Sequence, residues 1–290
     1  MTERIDFGIS VAPLWTEQTE TLELVRLADD AGLDLVGVQD HPYQWRFYDT
    51  WTLIVYLAGQ TSRVRFFPDV VNLALRPPAI LAKSAASLDV LSGGRIELGL
   101  GAGGFWDAVV AMGGPRRTPG EAFRATEEAI DVIRLVWSGQ RGVTYDGDHY
   151  RLAGLHTGPV PAHDIGIWVG ANGPRMLDLI GRKADGWVPS SPWAPPESLP
   201  GYLDQITTSA GGAGREPASI RRVYNISGVI ASERDGPFVG PTSHWVETLL
   251  RLVDIGMDAF VLWPDGDDRH GQVAAFAAEV VPAVRDRMVG

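Results

Sequence analysis

Eight short runs rich in β-branched and aromatic residues alternate with helix-length amphipathic segments along this chain. That alternation is the pattern of a parallel sheet with helical crossovers. The runs are residues 5–11, 33–40, 63–72, 95–101, 165–171, 185–190, 222–231 and 258–264. Between and after them, helices are predicted near 16–31, 50–60, 79–91, 121–138, 199–209, 243–255 and 272–288, with another opening at Pro174. Gly32 closes the first as a C-cap, and Ile130, Ile133, Val136 and Trp137 lie on one face of the fourth. The segment VTYDGDHYRLAG predicts a small hairpin turned at Asp146-Gly147.

Eight β/α units without a linker or low-complexity tract fit an α/β fold of the (β/α)8 TIM-barrel type, with small insertions, better than a doubly wound sheet. The 290 residues are read as one domain, 1–290, because such barrels run to about 250 residues as a single unit.

The stretch GGRIELGLGAGG satisfies G-x-G-x-x-G at Gly99, Gly101 and Gly104. A dinucleotide fingerprint belongs to the first βα turn of its unit and is followed about 20 residues on by an acidic strand end. Here the motif follows the fourth strand, and Glu121 opens a helix instead. In a barrel the same glycines stand at the active, C-terminal face, where Gly99, Gly101, Gly103 and Gly104, with Ala102 among them, suit a flat ring lying against main chain. The alternative is that they relieve crowding where the strand enters its loop.

Three further strand ends carry polar groups. VGANGPRML places Gly170, Ala171, Asn172 and Gly173 before a helix that opens at Pro174. The N–H groups of Ala171 to Gly173 form a candidate anion cradle with Arg175 adding charge, or simply a Gly-Pro helix start. Asp40 and His41 end the second run, where an imidazole can move a proton near neutral pH; a buried structural Asp and a solvated His are the alternatives. Asp69 and Asn72 end the third, which Pro68 marks as bent. Trp15, Trp45, Trp106 and Trp193 follow strands in loops, and an aromatic mouth favours an apolar or aromatic substrate over a sugar phosphate, unless they are ordinary loop packing.

Composition narrows the chemistry. With 36 acidic against 25 basic residues, a net charge of −11 and no Lys/Arg cluster, nucleic acid is an unsuitable partner. Cysteine is absent, which excludes disulfides and thiolate catalysis. The six histidines show no HxH or HExxH spacing, so no metal site is expected, and G-x-S-x-G is missing. The N-terminal MTERIDFG lacks an apolar leader region and no run approaches a membrane span of about 20 residues, so a cytoplasmic protein is expected.

The run RVRFFPDVVNLALRPPAILAKSAASLDVLSGGRIELGLGAGG, together with VGANGPRML and ADGWVPS, resembles the bacterial luciferase-like oxidoreductase superfamily, whose members bind FMN or the deazaflavin coenzyme F420 on a (β/α)8 barrel. The resemblance covers nearly the whole chain. It implies a non-prolyl cis peptide at Asp69-Val70 behind the cofactor ring, and a ring held by Asp69, Val70, Val71, Asn72 and the glycines, with Asp40 and His41 nearby. It further implies a phosphate near Gly170 to Gly173, and a homodimer.

Within that family Asp-His at 40–41 favours F420 over FMN. The function implied is hydride transfer between the deazaflavin C5 and a small organic substrate, with His41 assisting the proton. An FMN-dependent monooxygenase and a non-catalytic flavin-binding protein are the alternatives. Where F420-dependent sugar-phosphate dehydrogenases carry a glutamate as proton donor, this chain has Gly104, which argues against that activity.

Overall fold

A computed structural model describes residues 5–289; the first four residues of the charged N-terminal segment and Gly290 lie outside them. Strands β1 (Asp6–Val11), β2 (Leu35–Val38), β3 (Arg65–Pro68), β4 (Val71–Asn72) and β5 (Leu98–Gly101) are separated by α1 (Gln18–Asp30), α2 (Thr50–Ala58) and α3 (Pro78–Ser92). Then follow α4 (Trp106–Ala111), α5 (Pro119–Trp137), the hairpin β6 (Val143–Asp146) and β7 (Arg151–Leu155), β8 (Ile167–Val169), α6 (Pro174–Lys183) and β9 (Gly186–Trp187). The chain ends with α7 (Leu199–Gly212), β10 (Arg221–Ile230), β11 (Val239–Gly240), α8 (Thr242–Asp254), β12 (Ala259–Pro264), α9 (Arg269–Ala275), a π-helical turn at 276–280 and α10 (Val281–Val289).

The main sheet is parallel in the order β3-β2-β1-β12-β10-β9-β8-β5-β4. β3 and β4 are two halves of one strand. Phe66 N–H donates to Arg95 O and Glu97 N–H to Phe66 O, both at 2.9 Å, which joins the two ends of the sheet into the expected barrel.

The period-2 alternation of the strands explains what fills it. Phe7, Ile9, Val36, Phe66 and Leu98 face the surrounding helices in the outer core. Leu35, Phe67, Trp168, Val188, Val223, Ala259 and Val261 form a separate inner cluster that plugs the barrel. Phe67 and Trp168 pack edge to face there at 5.2 Å. At the opposite end from the site, an ionic belt closes the bottom: Arg65 bridges Asp6 and Glu97, and Arg221 joins Asp6 to Asp258.

Several local expectations change. Asp146-Gly147 is not a two-residue turn: Asp146 pairs with Arg151, leaving a loop of residues 147–150. The Glu128 carboxylate holds that loop by accepting the N–H groups of Asp148, His149 and Tyr150. The sixth run is ordered as strand only over Gly186–Trp187. The last helix is interrupted by the π-turn, and α4 and β11 lie where only loop was expected. Glu121 does open its helix, completing a capping box with Thr118.

Candidate active site

The C-terminal strand ends converge on one face, and the bend in the third strand sits at their centre. The Asp69-Val70 peptide is cis. Val70 turns its side chain across the barrel mouth. A β-carbon at Gly101 would stand 2.8 Å from Val70 Cγ2, and one at Gly170 would stand 3.1 Å from both Val70 methyls. At Gly99 a β-carbon would run into the Pro68 carbonyl oxygen. Gly99, Gly101 and Gly170 therefore lack side chains because the bulge fills that space, so Val70 is the surface they present. Gly103 differs: its φ of +103° favours glycine, and a β-carbon there would meet the Trp106 ring. Ala102 is partly buried beside it, and Gly104 faces open space.

Asp40 is buried and fully engaged. Its Oδ2 accepts the Asn72 N–H at 3.0 Å and Arg76 Nε at 2.9 Å, and its Oδ1 accepts Arg76 Nη2 at 2.8 Å. Arg76 also pairs with Asp49, and the two carboxylates hold its pKa above the ordinary guanidinium value despite burial. Asp40 thus tethers the end of the third strand to the end of the second. Asn72 is buried in β4, where its Oδ1 accepts the Ala74 N–H, while Val71 packs into the outer core.

His41 Nδ1 lies 2.8 Å from the Tyr43 hydroxyl. The imidazole is flanked by Tyr43, Phe47 and Phe105 rings. Burial lowers its pKa, opposed by the Asp40 charge, which favours the neutral ring at pH 7. Burial and then the Asp40 charge raise the Tyr43 phenol, against a hydrogen bond with the Asn72 side chain. Tyr43 and Phe105 are additions to the expected set.

The stretch before α6 has the features of an anion site. The Gly170 N–H is used by Leu100 O, but those of Ala171, Asn172 and Gly173 donate to no backbone or side-chain acceptor among the described residues. Asn172 Oδ1 is buried without a partner. Arg175 stacks on the Phe123 ring at 4.4 Å and forms no ion pair among the described residues.

A cleft of about 240 Å³ that includes the bulge residue Asp69 is lined by Gln39, Asp69, Ser190, Pro192, Trp193, Asn225, Ser227 and Trp263. Several of these were legible in principle. Gln39, Asp69, Ser190, Asn225 and Trp263 stand two or four residues beyond the plug residues Leu35, Phe67, Val188, Val223 and Val261. They are the next inward positions of their strands, or for Gln39 the next but one after Gly37. Of the expected tryptophans, Trp193 lines this cleft; Trp15 donates its indole N–H to Trp45 O; Trp106 stands against Gly103. The four do not form one wall.

A model of the luciferase-like monooxygenase family matches residues 16–236, and the chain belongs to that family. A 5,10-methylenetetrahydromethanopterin reductase of Methanolobus tindarius is 34% identical over 216 residues, 74% of this chain and 62% of the relative. An F420-dependent glucose-6-phosphate dehydrogenase of Nocardia farcinica is 30% identical over 217 residues, 71% of this chain and 63% of the relative. The matches thus span less than two-thirds of those relatives' lengths. In fold, an F420-dependent secondary alcohol dehydrogenase solved with an F420-acetone adduct superposes with a TM-score of 0.87 at 20% identity, over 98% of this chain and 100% of that one.

Proposed function

We propose that this chain is an F420-dependent oxidoreductase that moves a hydride between the deazaflavin C5 and a small, apolar or aromatic organic substrate. The observation that carries the reading is the pairing of two features on one barrel face. One is a run of three acceptor-free N–H groups, at Ala171, Asn172 and Gly173, with unpaired Arg175 beside it. The other is an apolar platform at Val70, with the His41–Tyr43 pair after the neighbouring strand β2. A phosphorylated planar cofactor matches both, and the named F420-dependent relatives supply its class.

When bound, F420 supplies the hydride-carrying carbon. The chain's own residues do the rest. Gly170 to Gly173 and Arg175 would hold the phosphate, while Val70, Asn72, Gly101, Ala102 and Gly103 would border the ring. Asp40 fixes Asn72 through its N–H, and Tyr43 orients His41 so that Nε2, which has no protein partner among the described residues, is the atom free to exchange a proton. Gly104 adds no acid, so the sugar-phosphate activity of the Nocardia farcinica relative is not part of this reading.

No helix among the described residues is long and apolar enough to cross a membrane; we read the protein as a cytoplasmic homodimer. Exposed Val55 and Tyr56 on α2, with Ile80 and Leu91 on α3, supply apolar surface for the dimer. The function is tested by anaerobic reoxidation of reduced F420 by ketones and enones, beside oxygen uptake with reduced FMN. Turnover without oxygen supports the reading. Oxygen consumption with reduced FMN alone would replace it with a flavin monooxygenase, and reoxidation by no acceptor would leave a flavin-binding protein.

A further inference from the structure

The plugged barrel changes character over one step of its inward-facing positions. Below lie Leu35, Phe67, Val188, Val223 and Val261; above lie Gln39, Asp69, Ser190, Asn225, Ser227 and Trp263. Asp69 forms part of the cleft they enclose. Its Oδ1 accepts Asn225 Nδ2 at 2.8 Å and its Oδ2 accepts Ser10 Oγ at 3.2 Å. Asn225 Oδ1, buried in the same place, has no partner. An unpartnered buried acceptor beside a carboxyl is an arrangement that lacks one hydrogen-bonding group.

Among the described residues no Lys or Arg lines the cleft. The side chains that meet Asp69 from β1 and β10 are the neutral Ser10 and Asn225, and Gly37 approaches it from β2. A further carboxylate on this side, Asp265, accepts the Ser227 hydroxyl. With no cation against it, burial raises the Asp69 carboxyl to about 6, only partly opposed by Asn225 and Ser10. A group so placed changes protonation in the range where proton transfer is efficient.

We infer that this cleft takes an uncharged alcohol or its carbonyl product, with the oxygen set between Asp69 and Asn225 and the body against Trp193 and Trp263, and that Asp69 exchanges the substrate's proton. In the oxidative direction the alcohol loses two bonds. Its O–H proton goes to the Asp69 carboxylate, and its C–H leaves as hydride, two electrons included, to the oxidised deazaflavin. The carbonyl compound remains. Reduction returns the same proton from the Asp69 carboxyl to the carbonyl oxygen. An anionic substrate is opposed by the carboxylates and met by no cation. This inference rests on the deazaflavin reading above, which it deepens by assigning the substrate class and a second proton-exchanging group besides His41.

The test compares wild type with Asp69→Asn and Ser10→Ala. In the cofactor-free protein, infrared difference titration should show a protonated carboxyl band that disappears near pH 6 in wild type. It should be absent from Asp69→Asn and displaced to higher pH in Ser10→Ala, because the lost hydroxyl had stabilised the carboxylate. With F420 and benzyl alcohol or 1-phenylethanol, Asp69→Asn should lose about 100-fold or more in the hydride-transfer rate. Ser10→Ala should move the acidic limb of the rate profile upward with the infrared titration. Glucose 6-phosphate should not be oxidised.

Thermal melts of both variants establish that they fold; if Asp69→Asn does not, the Ser10→Ala shift alone decides. Turnover of the alcohols with an unchanged profile in Ser10→Ala, or an undiminished rate in folded Asp69→Asn, overturns the role of Asp69. Turnover of glucose 6-phosphate but not of the alcohols overturns the substrate class. Absence of F420 binding by wild type, seen in the cofactor's own fluorescence, overturns the deazaflavin reading itself.

Discussion

The hydroxyl of Tyr43 stands 2.8 Å from Nδ1 of His41. Two residues apart on the loop after β2, they settle which ring nitrogen faces outward. A tyrosine O–H that donates to Nδ1 leaves the proton on Nε2 in the neutral ring. Because burial favours the neutral ring, the pair presents an uncharged Nε2 at neutral pH rather than a fixed positive charge, a donor where Tyr43 donates to Nδ1 and an acceptor where it accepts. Tyr43→Phe should retain cofactor affinity and lower the rate about 2- to 10-fold, the worth of one neutral hydrogen bond. Stopped-flow hydride transfer beside equilibrium binding checks this; an equal loss in both would make Tyr43 a packing residue.

Arg76 is the only cation bonded to the Asp40 carboxylate among the described residues. Arg76→Ala removes that counter-charge and leaves buried Asp40 only the Asn72 N–H, a change that costs about 3–5 kcal/mol. Urea denaturation should show that loss. It should also show that Asp40→Asn combined with Arg76→Ala is less destabilised than the sum of the single changes. Additivity would mean that the two do not act as a unit.

The glycines of β5 and the loop after it divide into two kinds. Gly99→Ala collides with the Pro68 carbonyl and should cost about 1–3 kcal/mol. Gly104→Ala meets nothing within 4 Å and requires no left-handed backbone, so it should be neutral or stabilise by about 0.4–1 kcal/mol. Thermal melts of the two variants compare them directly; equal effects would contradict the close approach of the bulge.

At the opposite end of the barrel, His163 Nδ1 lies 2.9 Å from Asp89 Oδ1 and Nε2 lies 3.7 Å from Glu97 Oε1. The Glu97 carboxylate, then that of Asp89, outweighs burial and raises the imidazole from 6.5 to about 8. A folded value above the unfolded one stabilises the protein fully below pH 6.5 and progressively less as pH rises through 8. Discounted for partial exposure, the gain is about 1 kcal/mol. His163→Gln should therefore destabilise more at pH 6 than at pH 9 in urea titrations. The same difference at both pH values would remove His163 from the pH response.

The barrel was readable because its strands are buried on both faces and its helices carry apolar stripes, so the two periods stand out in order. Gly99 to Gly104 were harder. The motif located them at a strand end, but only coordinates show Pro68 and Val70 occupying the space of the absent side chains. Asp40 read as a ligand-facing acid; its partner Arg76 lies 36 residues away, a pairing that no local pattern encodes. Asn225, Ser227 and Trp263 were within reach, since counting inward positions beyond the apolar plug finds them. Tyr43 was not, because its role depends on the loop bringing it back to its neighbour two residues earlier.

The account turns on the cofactor. Titrating cofactor-free protein with F420 and, separately, with FMN, following each cofactor's fluorescence, tests it most directly. The prediction is saturable F420 binding about tenfold or more tighter than FMN, a difference of about 1.4 kcal/mol, weakened by Arg175→Ala. FMN binding as tight as F420 or tighter, or F420 affinity untouched by that substitution, would contradict it.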